Sequence, residues 1–255
     1  MEQGLVILFG LLIGSFLNVC IARLPQGESI VRPPSHCPQC LGGIAWYDNI
    51  PVISYMLLLG RCRSCRTRIS PRYPFVEILT AAALLAVFTL DLTPREFAVY
   101  GAFTCALIVI TFIDIDHKII PDVITLPSII VAPAAAFLVG HLSMLDSLAG
   151  IVIGGGGLWA IAAGYEYLRK QEGMGFGDVK FLAMVGGYQG WEGALFTLIV
   201  GSLIGTVIGI GLMLARRGRL DMEIPFGPFL AAGSFLYLLG GPELITWYLA
   251  LPASF

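Results

Sequence analysis

Charge is what this chain has least of. Only 13% of its 255 residues are Asp, Glu, Lys or Arg, where a soluble domain carries about 25%. Hydrophobic residues make up 57%, and the mean hydropathy is +0.84. A soluble fold of this length could not hide that much apolar surface, so a water-soluble enzyme and a disordered chain both fit poorly. There is no surplus of positive charge: the net charge of -2 gives no field for DNA or RNA. Histidine is scarce, with three residues. The sequence has no H-E-x-x-H for a zinc protease, no G-x-S-x-G elbow, no G-x-G-x-x-G and no Walker loop. A cleavable signal peptide is not expected either. Residues 4–22 are apolar, but Glu2 stands where a basic start belongs and no Ala-x-Ala site follows.

What the chain does have is long apolar runs, at 4–22, 74–90, 97–113, 123–140, 147–165, 179–190, 194–214 and 229–250. Strict alternation is absent, so an outer-membrane barrel is a poor fit. At 1.5 Å per residue each run predicts a spanning helix, the short sixth one by tilting or by running on to Gly193. The fold class expected is an all-α polytopic membrane protein of about eight transmembrane helices with a small cytosolic insertion. Three segments follow: a first transmembrane helix at 1–22, a cytosolic tetracysteine domain at 23–73, and a membrane bundle at 74–255. With 23–73 taken as cytosolic, 14 of the 15 basic residues fall on that side and only Arg95 lies opposite. That satisfies the positive-inside rule and sends both termini outward. Four consecutive glycines at 154–157, and Gly201, Gly205 and Gly209 at four-residue spacing, predict close helix packing. Pro127 and Pro133 predict a bend in the fourth span.

The polar insertion holds Cys37-Pro38-Gln39-Cys40 and Cys62-Arg63-Ser64-Cys65. Two C-x2-C hooks point to a tetrathiolate site, and a closed set of four soft ligands suits a structural Zn2+. Iron, a disulfide pair and redox chemistry are the alternatives. The arginines at 61–72 either offset thiolate charge, meet anionic lipid or form a solvated face. Cys20 and Cys105 lie in apolar runs and read as packing residues.

Acidic residues cluster at the same membrane face. The third run ends in Phe112-Ile113-Asp114-Ile115-Asp116-His117-Lys118, followed by Ile119-Ile120-Pro121-Asp122, and Gly175-Phe176-Gly177-Asp178 precedes the sixth. Carboxylates beside hydrocarbon are costly unless wet, paired or protonated. Two aspartates sharing a proton can activate water and polarise a carbonyl. From spacing alone, a catalytic dyad, carboxylate-coupled transport and plain helix capping all remain open.

The combined motifs resemble the bacterial type IV prepilin peptidases, GxGD-type membrane aspartic peptidases that are also N-methyltransferases. The resemblance covers nearly the whole chain: GSFLNVCIARLP at 14–25, RPPSHCPQC at 32–40, DNIPVISYMLLLGRCRSC at 48–65, ISPRYPFVE at 69–77, FIDIDHKIIPD at 112–122, GMGFGDVK at 173–180 and IPFGPFL at 224–230. It implies Asp114 and Asp178 as the catalytic pair, and cleavage of prepilin or pseudopilin leaders at the cytosolic face of the bacterial inner membrane. It further implies methylation of the new amino terminus from S-adenosylmethionine. Lipid and the pilus or type II secretion machinery are the implied partners, with no nucleic acid. Asp48, Gly60 and Glu77 are weak candidates for contact with the methyl donor or the amine.

Overall fold

The computed structural model describes residues 1–140, 142–170, 175–215 and 224–250. The arginines at 216, 217 and 219, and Gly173 and Met174, lie outside them. Nine α-helices are described: α1 (Glu2–Arg23), α2 (Ile53–Leu57), α3 (Arg72–Phe88), α4 (Pro94–His117), α5 (Asp122–Val139), α6 (Met144–Ile151), α7 (Gly157–Arg169), α8 (Phe176–Ala215) and α9 (Gly227–Ala250). Among the described residues there are no strands, only isolated bridges pairing His36 with Gly43 and Arg61 with Arg68.

Among the described residues six helices of 18 residues or more are apolar enough to cross a membrane: α1, α4, α5, the joined α6–α7, α8 and α9. The protein is a multi-pass membrane protein. Its outward faces carry residues that water would reject, such as Phe137, Ile130 and Leu214, each more than three-quarters exposed. The expected count of about eight exceeds six because α8 holds two of the expected runs and α3 is just shorter than these six helices. The runs 179–190 and 194–214 fall within α8 as two helical segments that meet at a kink, where Gly190 takes the non-helical φ 74° and ψ −179°. The run 74–90 forms a 17-residue helix, α3, whose length of about 25 Å lies at the lower limit for a span. The expected bend at the prolines is not a break: α5 runs on through Pro127 and Pro133.

The chain folds as two compact units, Met1–Val109 and Ile110–Phe255. In the first, α1 packs along α3 because two small residues let the backbones meet. A Cβ on Gly10 would fall 2.5 Å from the Ala81 Cα, and one on Gly14 would fall 2.6 Å from the Glu77 Cα. Asn18 locks the pair, its Nδ2 donating to the Tyr73 carbonyl at 3.0 Å. Arg23 ends α1 and turns its guanidinium onto the loop, donating to the carbonyls of Ser29 and Pro33.

In the second unit, α8 is the central element, flanked by α5, α6 and α9. Ser143 caps α6 by accepting the Asp146 N–H at 3.1 Å. At the α6–α8 crossing, Gly150 and Gly186 face each other so closely that a Cβ on either would overlap the other's backbone. Ser147 donates to the Gly187 carbonyl at 2.7 Å in the same contact. The glycine run does pack, as its composition predicts. Val152–Gly156 widens into a π turn, and a Cβ on Gly155 would meet the Ala183 side chain at 2.7 Å. Gly201 and Gly205 of the next stripe lie against Phe229 of α9. Gln189 and Ser234 tie α8 to α9, with Nε2 donating to the Ser234 carbonyl at 2.8 Å.

Candidate functional site

The four cysteines are brought together by two copies of one small turn. In the first, Cys37 N–H donates to the Gly42 carbonyl at 2.9 Å and Leu41 N–H to the Cys37 carbonyl at 2.8 Å. In the second, Cys62 N–H donates to Thr67 at 2.8 Å and Arg66 N–H to Cys62 at 3.0 Å. Leu41 and Arg66, each just after the second cysteine of its hook, both take positive φ, 55° and 60°. That reversal folds each hook back so that both sulfurs face the same point. All four Sγ atoms lie within 4.8 Å of one another. Cys37 Sγ and Cys65 Sγ are 3.8 Å apart, too far for a disulfide. That is the separation a tetrahedron with bonds of about 2.3 Å sets between its corners.

The electrostatics of the cluster favour a cation. Thr67, through its backbone N–H and then its hydroxyl, holds the Cys65 thiol down to about 6. The backbone N–H groups of Cys40 and Gln39 lower Cys37. The Gly42 N–H favours a thiolate at Cys40, but the sulfurs of Cys65, Cys37 and Cys62 outweigh it and push Cys40 up to about 11. Four sulfurs this close do not all ionise without a cation among them, and a bound metal would release the remaining protons. The cluster is a site that can hold a metal ion.

The second constellation lies wholly in the second unit. Asp114 sits near the end of α4 and Asp178 in the first turn of α8. Asp114 is 5% exposed; Asp178 is half-buried. The N–H of Gly227, first residue of α9, donates to Asp114 Oδ2 at 2.8 Å. Among the described residues Oδ1 has no protein partner, which leaves it open to water or substrate. Gly227 is required sterically, since a Cβ there would fall 2.6 Å from Oδ2. Sequence reasoning quoted the stretch around Gly227 but gave the residue no part. The one signal available was a glycine followed by proline at a helix start, a pattern with many ordinary causes.

The neighbouring acids are placed differently. Asp116 and His117 are exposed at the end of α4. Asp122, at the start of α5, pairs with Lys180, whose ammonium also lies 5.5 Å from the Phe176 ring centroid. That pair links α5 to the first turn of α8, two residues from Asp178. Gly177 packs on Ile120, where a Cβ would approach to 3.1 Å.

The three weaker candidates all belong to the first unit, and each has a visible structural role. Asp48 is gripped by Arg63, with Nε to Oδ2 at 2.7 Å and a second guanidinium nitrogen to Oδ1 at 2.6 Å. This hydrogen bonding and charge hold the Asp48 carboxyl below the usual range. Gly60 takes φ 64°, and a Cβ there would meet the Tyr55 hydroxyl at 2.8 Å. Glu77 is buried and accepts the Val52 N–H at 2.7 Å. A cleft of about 280 Å3 opens beside α1 in the same unit, lined by Leu12, Phe16, Arg23, Val31 and others. It contains none of these candidates and neither aspartate.

Comparison with known proteins places both constellations in one family. Residues 8–90 match the profile of the bacterial peptidase A24 N-terminal domain, and residues 101–210 match that of the type IV leader peptidase family. A prepilin leader peptidase/N-methyltransferase of Aeromonas salmonicida is 38% identical, over 97% of this chain and 94% of that protein. The proteins of that name from Pseudomonas aeruginosa and Myxococcus xanthus are 35% and 40% identical, over 95% and 82% of this chain. They are themselves covered to 92% and 62%. No solved structure matches. The aspartates fall within the second profile, the cysteines within the first, and the chain belongs to the type IV leader peptidase family.

Proposed function

We propose that the protein cleaves the leader from prepilins or pseudopilins with Asp114 and Asp178, then methylates the new amino terminus. The observation that supports the peptidase half is Asp114, buried near the end of α4 and held by a backbone N–H from α9, with Asp178 in the first turn of α8 in the same unit. A substrate of this class has a polar leader followed by an apolar helix. Helix ends at the membrane face meet both parts, and the cleaved segment can unwind where water still reaches its backbone.

In the hydrolytic step, Asp114 Oδ1 takes a proton from water as the oxygen attacks the scissile carbonyl. Asp178 gives its proton to that carbonyl oxygen; as the C–N bond breaks, Asp114 passes its proton to the leaving amine and the new hydroxyl returns one to Asp178. Gly227 fixes the direction of the Asp114 carboxylate throughout. No metal is needed for this division of labour.

Methyl transfer forms an N–C bond at the freed amine, breaks the C–S bond of S-adenosylmethionine and releases one proton from nitrogen. The task is alignment of amine and donor, which requires no carboxylate pair. In this reading the cysteine lobe, with Zn2+ as a structural ion, supports methylation. Asp48, Gly60 and Glu77 shape that lobe. The setting is the bacterial inner membrane with the lobe and the aspartates on the cytosolic side, as the 14 basic residues predict.

The experiment is incubation of purified protein with a prepilin and S-adenosylmethionine, scored by mass spectrometry for loss of the leader and gain of a methyl group. An Asp178→Asn variant given a pre-cleaved pilin peptide separates the two halves. Methylation should persist while cleavage of the intact prepilin is lost. Joint loss in a folded variant that still binds peptide contradicts separate sites, and wild-type cleavage contradicts the dyad.

A further inference from the structure

The helix α2 is inverted relative to an ordinary surface helix. Its buried residue is Ser54, whose hydroxyl donates inward to the Tyr47 carbonyl at 2.8 Å. Ile53, Met56 and Leu57, at i, i+3 and i+4, form one face, and all three are exposed. Leu59 and Trp46 extend the same exposed apolar surface, each more than four-fifths accessible. A lobe in water would not present such a ridge.

Two observations say what covers it. The first is depth. Glu77, which accepts the Val52 N–H immediately before α2, is the sixth residue of α3, about 7.5 Å inside that helix. Gly14, well inside α1, packs on the same residue, and Ser15 reaches the same carboxylate. On these turns Phe16, Phe75 and Ile78 are exposed outward, as lipid-facing residues of membrane helices are. So α2 starts level with the apolar part of the helix pair, not above it. Val52 takes φ 60°, a conformation that a β-branched residue rarely adopts, and the Glu77 bond holds it there. The second observation is charge. Arg61, Arg66 and Arg68 follow the ridge directly, are exposed, and have no carboxylate partner among the described residues.

We propose that α2 lies in the plane of the membrane surface, with Ile53, Met56 and Leu57 in the acyl boundary of an anionic leaflet. Trp46 sits at headgroup level and the arginines meet lipid phosphates. The metal lobe is then not a free cytosolic knob joined by two linkers. It is docked on the bilayer beside α1 and α3, with Glu77 setting its depth. The inference rests on the membrane placement of α1 and is independent of either chemical activity.

The test uses the full-length, metal-loaded protein in nanodiscs of phosphatidylcholine, with and without phosphatidylglycerol. Replacing the four native tryptophans by phenylalanine and adding Leu57→Trp puts a single fluorophore on the ridge. Trp46 is read separately as the difference between wild type and Trp46→Phe, which does not depend on the multiple variant folding. The expected result is loss of most ridge emission when the lipid carries bromine on the upper acyl chain, with protection from aqueous acrylamide. Quenching should be deeper with phosphatidylglycerol, and that increment should vanish in Arg61→Gln/Arg66→Gln/Arg68→Gln. Emission quenched by acrylamide and untouched by brominated lipid overturns the proposal in favour of a water-facing ridge. Emission insensitive to both overturns it in favour of coverage by another protein chain. Equal quenching with and without phosphatidylglycerol overturns the anionic part.

Discussion

The cysteine lobe and the aspartate pair assemble their chemistry in opposite ways. The lobe builds its site from two local turns, each closed by its own backbone hydrogen bonds within eight residues. The aspartates are 64 residues apart in sequence, and no local turn joins them. Their placement depends on helix packing: α6 presses on α8 at Gly150 and Gly186, and α9 begins with a residue small enough to touch Asp114. A site made of hooks tolerates changes in the surrounding bundle. A site made of helix ends inherits every error in helix packing.

The largest effect expected from breaking this contrast is loss of a carboxyl group. Asp114→Asn or Asp178→Asn should lower prepilin cleavage by about a thousandfold, the scale of removing an acid or base from the reaction. The metal content of the lobe should be unchanged in both variants, checked by elemental analysis beside the cleavage assay. Near-normal cleavage in either would dissolve the dyad.

Gly227→Ala sharpens the same point without removing a titratable group. The new Cβ must displace the Asp114 carboxylate, and overpacking of this kind costs about 1–3 kcal/mol. Cleavage should fall by about a hundredfold, in keeping with an ångström-scale misplacement of a reacting group. The thermal midpoint in detergent should shift only modestly. Full activity would mean that α9 does not set the carboxylate.

Cys62→Ser breaks the other region. Metal content should drop sharply, and amide exchange across residues 35–68 should accelerate, since the ion and the local fold are coupled. Prepilin cleavage should change less than about tenfold, because no ligand of the reaction is touched. Cleavage lost together with the metal would show that the two regions act as one.

The smallest effect belongs to the exposed Asp48–Arg63 pair. Arg63 depresses the Asp48 carboxyl in the folded state. Its contribution is therefore fully present above the unfolded carboxylate value of about 3.9. It is lost only as pH falls through the lower folded value. Thermal melts of wild type and Asp48→Asn should run parallel from pH 8 to about pH 5 and converge only under more acid conditions. A gap that opens near neutrality would assign Asp48 a role beyond this surface pair.

Periodicity, composition and spacing alone predict the membrane class, nearly every helix and the gathering of the four cysteines. Each depends on residues close in sequence: an apolar run long enough to span, or two cysteines a turn apart. The resemblance to a family singled out Asp114 and Asp178, where residue chemistry by itself left transport and capping open. Tertiary structure decided the rest. Where the helix of 179–190 ends and that of 194–214 begins is set by a kink at a single residue, Gly190. The role of Gly227 depends on a carboxylate 113 residues away. Glu77 stands in the sequence as a weak candidate for contact with the methyl donor or the amine, and only the fold shows its bond to Val52, 25 residues earlier. Spacing reports interactions within a turn or two of chain. Contacts between distant helices depend on which faces meet, and a one-dimensional pattern does not carry that.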